Sequence, residues 1–175
     1  MEKQNFIVIT GPESTGKTEL AQALALELNC QWVPELSRGF IEQLGRPYQI
    51  SDVETIARLQ IQQFQKVLAG NHNFTIFDTG LIITKVWFDV VYQQCPDWLT
   101  GAIHKLPKCL HLLCATDIPW APDPVRENGG KMREKLFDSY KQELEFFGFP
   151  YEIIYGLGSE RLKNAIRVLK QHQYV

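Results

Sequence analysis

Gly11-Pro12-Glu13-Ser14-Thr15-Gly16-Lys17-Thr18 decides the fold. The octapeptide fills G-x-x-x-x-G-K-[ST] at every fixed position, and its flanks suit that motif. Before it, residues 6–9 are a short apolar, β-branched run; after it, residues 17–28 carry Leu20, Ala21, Leu24 and Leu28 at helical spacing. A strand that enters a helix through a glycine-rich turn gathers backbone N–H groups and the positive end of the helix dipole at one point, which suits a phosphate. The loop is therefore expected to bind ATP through Gly11, Pro12, Glu13, Ser14, Thr15, Gly16, Lys17 and Thr18. In that reading Lys17 bridges the β- and γ-phosphates and Thr18 ligates Mg²⁺.

Outward from the loop, strand and helix signals alternate. Trp32 and Val33 form a brief strand stopped by Pro34, followed by a short helix over 35–44 that ends at Gly45. Ser51 with Glu54 reads as a capping box for a helix whose apolar face includes Val53, Ile56, Ala57, Ile61, Phe64, Val67 and Leu68, ended by Gly70-Asn71. Residues 74–78 predict a buried strand with Asp78 at its carboxyl end, residues 81–92 a helix packed on several sides, and residues 108–115 another buried strand. A helix over 131–147 with the stripe Met132, Leu136, Tyr140 and Leu144, a strand over 151–155, and a Ser159-capped helix through Leu162, Ala165, Ile166 and Leu169 complete the chain. The repeated β-then-α order predicts a three-layer α/β/α fold with a parallel, five-stranded sheet, that is, a P-loop NTPase of the nucleoside and nucleotide kinase kind. No repeat or linker divides residues 1–175, so one domain is expected, with the Pro/Gly-rich charged segment 117–133 as its lid.

Composition narrows the function. With 45% hydrophobic residues and 22% charged, the 175-residue chain can bury a core. A formal charge of −2 gives no broad basic surface for nucleic acid or for an anionic membrane, and no apolar stretch approaches the ~20 residues of a span. The residues before the loop lack a signal-peptide pattern, and four cysteines without a CxxC pair suit a reducing compartment; a cytoplasmic location follows as the expectation. Cys109, His111 and Cys114 do not read as a metal site, because alternation along a strand points Cys114 away from the other two.

A P-loop does not by itself choose a reaction. The N-K-x-D guanine reader of GTPase switches is absent, and Asp78 is followed by Thr79 and Gly80 rather than by the second acid expected in a large AAA-type machine. Asp78 reads as the Mg²⁺-directed acid of the Walker B type, or else as a helix-capping Asp. The late basic segment points to phosphate transfer onto a small molecule.

The chain resembles the ribosylnicotinamide kinase domain of the NadR family, small P-loop kinases and related ATPases of NAD salvage. The carriers are the octapeptide, Val33-Pro34-Glu35-Leu36-Ser37-Arg38, Phe77-Asp78-Thr79, Thr84-Lys85-Val86-Trp87, Asp117-Ile118-Pro119-Trp120 with Asp123 and Arg126, and Gly156 with Glu160-Arg161. The resemblance spans nearly the whole chain and implies ATP-dependent phosphorylation of the ribose 5′-hydroxyl of nicotinamide riboside. It implies that Arg126 and Arg133, with Lys131 between them, cover the phosphates. Glu35 and Arg38 would meet the acceptor, with Glu35 sharing the general-base role with Asp78. Trp120, beside Asp117 and Asp123, is the expected partner of the cationic pyridinium, while Tyr48, Trp87 and Tyr92 read as packing residues. The segment 156–161, with Arg161, would hold adenine, though Ser159 and Glu160 are also an ordinary helix start. Many family members carry a second acid where this chain has Gly80, and the H-x-G-H signature of a nucleotidyltransferase is absent. Kinases for other nucleosides or nucleoside monophosphates, and a nucleotide-binding regulatory module without turnover, stay open as alternatives; the oligomeric state is left unassigned.

Overall fold

Five short runs rich in β-branched and aromatic residues pair in parallel: β1 (Asn5–Thr10), β2 (Gln31–Val33), β3 (Phe74–Asp78), β4 (Leu110–Cys114) and β5 (Tyr151–Ile154). The order across the sheet is β2-β3-β1-β4-β5. The computed structural model describes residues 5–70, 72–122 and 126–175. Strands that run one way need crossovers, and among the described residues seven α-helices supply them: α1 (Lys17–Glu27), α2 (Ser37–Leu44), α3 (Ile50–Leu68), α4 (Leu81–Trp87), α5 (Asp97–Lys105), α6 (Gly130–Phe147) and α7 (Ser159–Gln171).

The period of two along each strand divides the core. Ile7, Ile9, Ile76 and Leu112 face α1 and α7, where Leu20, Leu24, Ala165 and Leu169 meet them. Phe6, Val8 and Phe77 face the other way onto Phe64 and Val67 of α3. Leu113 continues that side beneath α4, α5 and α6, against Ile82, Leu99, Leu136 and Leu144. Each such side chain taken out of water contributes roughly 1.5–3 kcal/mol, so both faces must be covered for the sheet to persist. α2 is the exception, with no buried residue.

Four local details differ from the sequence expectation. The α3 start is set two residues earlier than Ser51, because Asp52 accepts the Gln49 backbone N–H at 2.7 Å while Arg46 donates to it through two nitrogens. The helix after β3 does not run evenly to residue 92: α4 ends at Trp87 and continues as a single π-helical turn, Phe88–Tyr92. α5 was not foreseen at all, and Ser159 is the first residue of α7 rather than its cap, which is Gly158 with φ 49°. Among the described residues no helix is long and apolar enough to cross a membrane.

The parallel register brings every functional turn to one edge of the sheet. Ile9 pairs with Asp78, Val33 with Phe77, Thr10 with Leu113 and Cys114 with Ile154. The loop after β1, Glu35 beyond β2, Asp78, Asp117 beyond β4 and Gly156 beyond β5 therefore lie on the carboxyl side, where open α/β sheets bind ligands.

Candidate active site

Backbone shape comes first in the phosphate loop. Gly11 has φ 145°, and a Cβ there would stand 2.9 Å from the Cys114 carbonyl oxygen. Gly16, at φ 71°, starts α1, and a Cβ there would stand 2.9 Å from Cδ1 of Ile118. Both positions favour glycine for conformation, and Gly11 requires it for space as well, because the atom it would meet is backbone. The turn is held internally: the Thr15 hydroxyl donates to the Pro12 carbonyl at 2.8 Å, and Lys17 Nζ donates to the same oxygen at 2.7 Å. The ammonium thus sits at the mouth of the loop, beside the N-terminus of α1.

Asp78 ends β3 with only 2% of its surface exposed, and neither carboxylate oxygen has a hydrogen-bond partner among the described residues. Burial pushes its carboxyl above the usual range and the charge of Glu35 pushes the same way, while the neighbouring Thr18 hydroxyl and Lys17 pull it down. The next residue, Thr79, is held at φ 75°, an uncommon state for a β-branched side chain, with its N–H donating to the Ile9 carbonyl at 3.1 Å. A buried acid with two unused oxygens, next to a hydroxyl and a lysine, fits a hydrated Mg²⁺ carried in with a nucleotide. Among the described residues no three His, Cys, Asp or Glu side chains cluster to hold a metal on their own, so phosphate oxygens and water would have to complete the shell.

Glu35, half-buried, accepts the Ser37 hydroxyl at 2.5 Å on Oε1 and is close enough to Asp78 to raise its proton affinity. Arg38 stands on the exposed α2 and donates to Glu42 at 3.1 Å. Trp120 lays its ring over Gly129, where a Cβ would come within 3.2 Å of it, and its indole nitrogen is buried without a hydrogen-bond partner among the described residues. Asp123, expected beside it, lies outside the described residues.

The arginines are placed differently from the expectation of a row over the phosphates. Arg126 donates to the Ala121 carbonyl at 2.5 Å. Arg133 falls in the first turns of α6, only 5% exposed, and donates to the carbonyls of Thr116 and Ile118. Burial lowers its proton affinity, as does the charge of Arg161. The task visible for Arg133 is to fix the chain leaving β4. Arg161, 3% exposed, reaches the Gly156 carbonyl at 2.7 Å, the Thr15 carbonyl at 2.7 Å, the Ala115 carbonyl at 3.3 Å and the Asp117 carboxylate. One guanidinium thereby ties the phosphate loop to the turns after β4 and β5.

Two groupings escaped the sequence reading. Glu13 accepts the backbone N–H groups of Glu127 and Asn128 at 3.0 and 2.9 Å, and Ser14 accepts that of Ala121 at 3.0 Å, so the loop itself carries residues 121 and 127–128. Tyr48 and Trp87, expected as packing, meet edge to face at 4.9 Å, and the Tyr48 hydroxyl donates to Glu127 at 2.9 Å. Burial, with help from Glu127, pushes the Tyr48 hydroxyl up to about 12; Tyr92 is raised too, by burial and then by Asp52 and Glu127. Tyr48, Trp87 and Tyr92 pack against the core, as expected, with Glu127 at the Tyr48 hydroxyl and Asp52 held by Arg46. The signal was in the sequence only as separate residues 48, 52, 87, 92 and 127. A small cavity of about 30 Å³ lies under Leu36, Thr79 and Gly80 against Phe64, Phe77 and His111; its walls are mostly apolar and include neither Lys17 nor Asp78.

With that geometry in hand, likeness to known proteins becomes informative. The NadR protein in complex with NAD and AMP-PNP superposes with a TM-score of 0.80 at 21% identity, covering 98% of this chain and 50% of that one. NadR in complex with NR gives 0.81 at 20% identity, with 98% and 51% covered, so the chain spans about half the length of these structures. Deoxyadenosine kinase from M. mycoides, with products dCMP and dCDP bound, matches at 0.68 and 13% identity over 95% of this chain and 99% of that one. Thymidylate kinase from Ehrlichia chaffeensis matches at 0.68 and 14% identity, over 97% and 98%. These likenesses show the fold of the P-loop nucleoside kinases, with its parallel sheet of five strands, as the sequence led one to expect. A comparison with curated proteins found no match. The family model described as "AAA domain" matches residues 6–161, from the first strand to the arginine that clips the phosphate loop, and the chain belongs to that family of P-loop domains.

Proposed function

We propose that the protein phosphorylates the ribose 5′-hydroxyl of nicotinamide riboside with ATP, giving nicotinamide mononucleotide and ADP, and that it does so in the cytoplasm as one domain spanning residues 1–175. The observation that carries this reading is the edge-to-face pair of Tyr48 and Trp87 with the Glu127 carboxylate at the Tyr48 hydroxyl, on a segment whose backbone is held by Glu13 of the phosphate loop. A flat pyridinium cation suits aromatic faces with acids nearby better than a neutral base does. Trp120 with Asp117, named first for that role, keeps a supporting place beside the loop.

The donor side follows from the loop. Gly11, Pro12, Glu13, Ser14, Thr15, Gly16, Lys17 and Thr18 would take the phosphates through backbone N–H groups and the lysine, with Arg161 holding the loop's shape. Mg²⁺, when bound with the nucleotide, neutralises charge on the β- and γ-phosphates, and Thr18 and Asp78 are the residues that would hold it. In the transfer the 5′-oxygen forms its bond to the γ-phosphorus as the bond to the β–γ bridging oxygen breaks, and ADP leaves with that electron pair. Glu35, held by Ser37, is the acceptor we favour for the hydroxyl proton, because Asp78 is engaged on the metal side. Arg38 on α2 would serve the ribose side, Asp123 keeps by sequence alone the acceptor role expected of it, and Arg126 and Arg133 set the segment that excludes water.

A second reading, another nucleoside or nucleoside monophosphate as acceptor, draws on Gly80. A Cβ there would stand 3.1 Å from Cγ1 of Val8, so this backbone has little room for the acid that many relatives of the NadR kind carry. Incubating the protein with Mg-ATP and a panel of nucleosides, and identifying new phosphate esters by mass, separates the two. Nicotinamide mononucleotide as the preferred ester supports the first reading; a different preferred ester overturns it in favour of the second. ATP binding without any ester leaves the regulatory module as the reading.

A further inference from the structure

The Glu13 side chain points away from the line of backbone N–H groups that makes the loop a phosphate site. Its Oε2 accepts two consecutive backbone N–H groups, those of Glu127 at 3.0 Å and Asn128 at 2.9 Å, and its Oε1 is approached by Asn128 Nδ2 at 3.4 Å. Glu127 in turn accepts the Tyr48 hydroxyl at 2.9 Å, and the Tyr48 ring rests edge to face on Trp87. A continuous chain of contacts thus runs from the phosphate loop, through one carboxylate and one strip of backbone, to the aromatic space at which the acceptor is proposed to bind.

We propose that Glu13 is a positioning residue that couples the nucleotide site to the acceptor site by holding the backbone of residues 127–128. The proposal rests on the kinase reading above and adds how its two half-sites communicate. A phosphate loop must keep its shape to hold ATP, and Glu13 stands in that loop between Pro12 and Ser14. A nucleotide that fixes the loop fixes Glu13, and Glu13 then fixes Glu127 against Tyr48; by reciprocity, an acceptor that orders Tyr48 improves the nucleotide site by the same factor. Ser14, which accepts the Ala121 N–H at 3.0 Å, holds the other stem of the same segment, so the loop grips it at two separated points.

The geometry asks for an acceptor oxygen at Glu13 and not for its charge, which separates two variants. Glu13→Gln keeps a carbonyl oxygen where both N–H groups point; Glu13→Ala removes it. Hydrogen exchange of the Glu127 and Asn128 amides is the readout that needs no substrate. Exchange about tenfold faster in Glu13→Ala, with Glu13→Gln within about threefold of the parent, is expected. Equal exchange in all three proteins overturns the tether. Steady-state kinetics with whichever nucleoside the panel shows to be phosphorylated then tests coupling. The acceptor KM is expected to rise about tenfold in Glu13→Ala with a much smaller change in kcat, rescued in Glu13→Gln. Adding Tyr48→Phe to Glu13→Ala should worsen KM little further, because both act through Glu127; fully additive effects overturn the coupling. Should no nucleoside be phosphorylated, the kinase reading fails, and exchange with and without AMP-PNP decides the coupling alone. A nucleotide-dependent change at 127–128 that disappears in Glu13→Ala supports it, and one that persists overturns it.

Discussion

Replacing His111 by Gln should make two stability curves cross as pH falls. His111 lies on β4 next to Val8 of β1, buried, and shares a 2.8 Å hydrogen bond through Nδ1 with the Thr10 hydroxyl, one residue before the phosphate loop. Its ring also packs on Phe149 with centroids 5.0 Å apart. Burial depresses its pKa from 6.5 to about 3. Between those values the unfolded chain binds a proton that the folded chain refuses, so stability falls as pH falls, by about 1.4 kcal/mol per unit. From pH 6.5 to pH 4.5 the parent protein should therefore lose about 2 kcal/mol through this one residue. Gln does not titrate, yet forfeits the ring contact and some hydrogen-bond geometry, a cost of about 1–2 kcal/mol at pH 7.5. The variant should be the less stable protein at neutral pH and the more stable one below about pH 5.5, where the lost protonation penalty outgrows the lost packing. Urea midpoints at half-unit pH intervals, with m checked for constancy, give both curves, and every other titrating group cancels in their difference. Parallel curves would mean that His111 is protonated in the fold, and the neutral Thr10–His111 pair would be wrong.

Three further outcomes test the site. Asp78→Asn should stabilise the nucleotide-free protein at pH 7. The folded pKa of this carboxyl lies above 3.8, so its contribution is present below that value and lost as pH rises through the raised one. The expected gain is about 1 kcal/mol, or roughly 2–4 °C in melting temperature, shrinking towards pH 4, while phosphoryl transfer drops about a hundredfold or more. A variant melting below the parent at pH 7 would contradict the unpartnered, buried carboxylate. Arg161→Met preserves bulk but abandons the carbonyls of Thr15, Ala115 and Gly156 and leaves Asp117 with only the Gly156 N–H; a loss of about 3 kcal/mol by chemical denaturation is expected, and a loss below ~1 kcal/mol would deny the clip, since that is the range of ordinary exposed pairs. Trp87→Ala should raise the acceptor KM about tenfold while the ATP KM changes less than about twofold, as for a residue that contributes binding on one side only; equal changes in both would return Trp87 to a packing role.

Residues 11–18, the strand-end acid Asp78 and the alternation of strand and helix signals lead from sequence to sheet without a structure, because each depends on neighbours a few positions away. Local spacing also misleads, as at Ser51 and Glu54: a well-formed capping signature lost to Gln49 and Asp52, since Arg46 reaches forward six residues and fixes Asp52 from outside the helix. Pairings that cross the fold leave no local trace. Thr10 and His111 are 101 residues apart, Glu13 and Asn128 115, and Thr15 and Arg161 146. Arg133 and Arg161 show the consequence. Basic residues near a nucleotide loop suggest ligand contacts, to phosphate for Arg133 and at the adenine for Arg161, yet burial changes what a guanidinium must do. A cation taken out of water needs its donors filled continuously, and backbone carbonyls at the ends of β4 and β5 are always present, whereas a phosphate is there only part of the time. The deeply buried arginines are thereby committed to shaping the loop. In the kinase reading proposed above, charge that answers the nucleotide falls to Lys17, which the loop holds through the Pro12 carbonyl and would release to a phosphate oxygen.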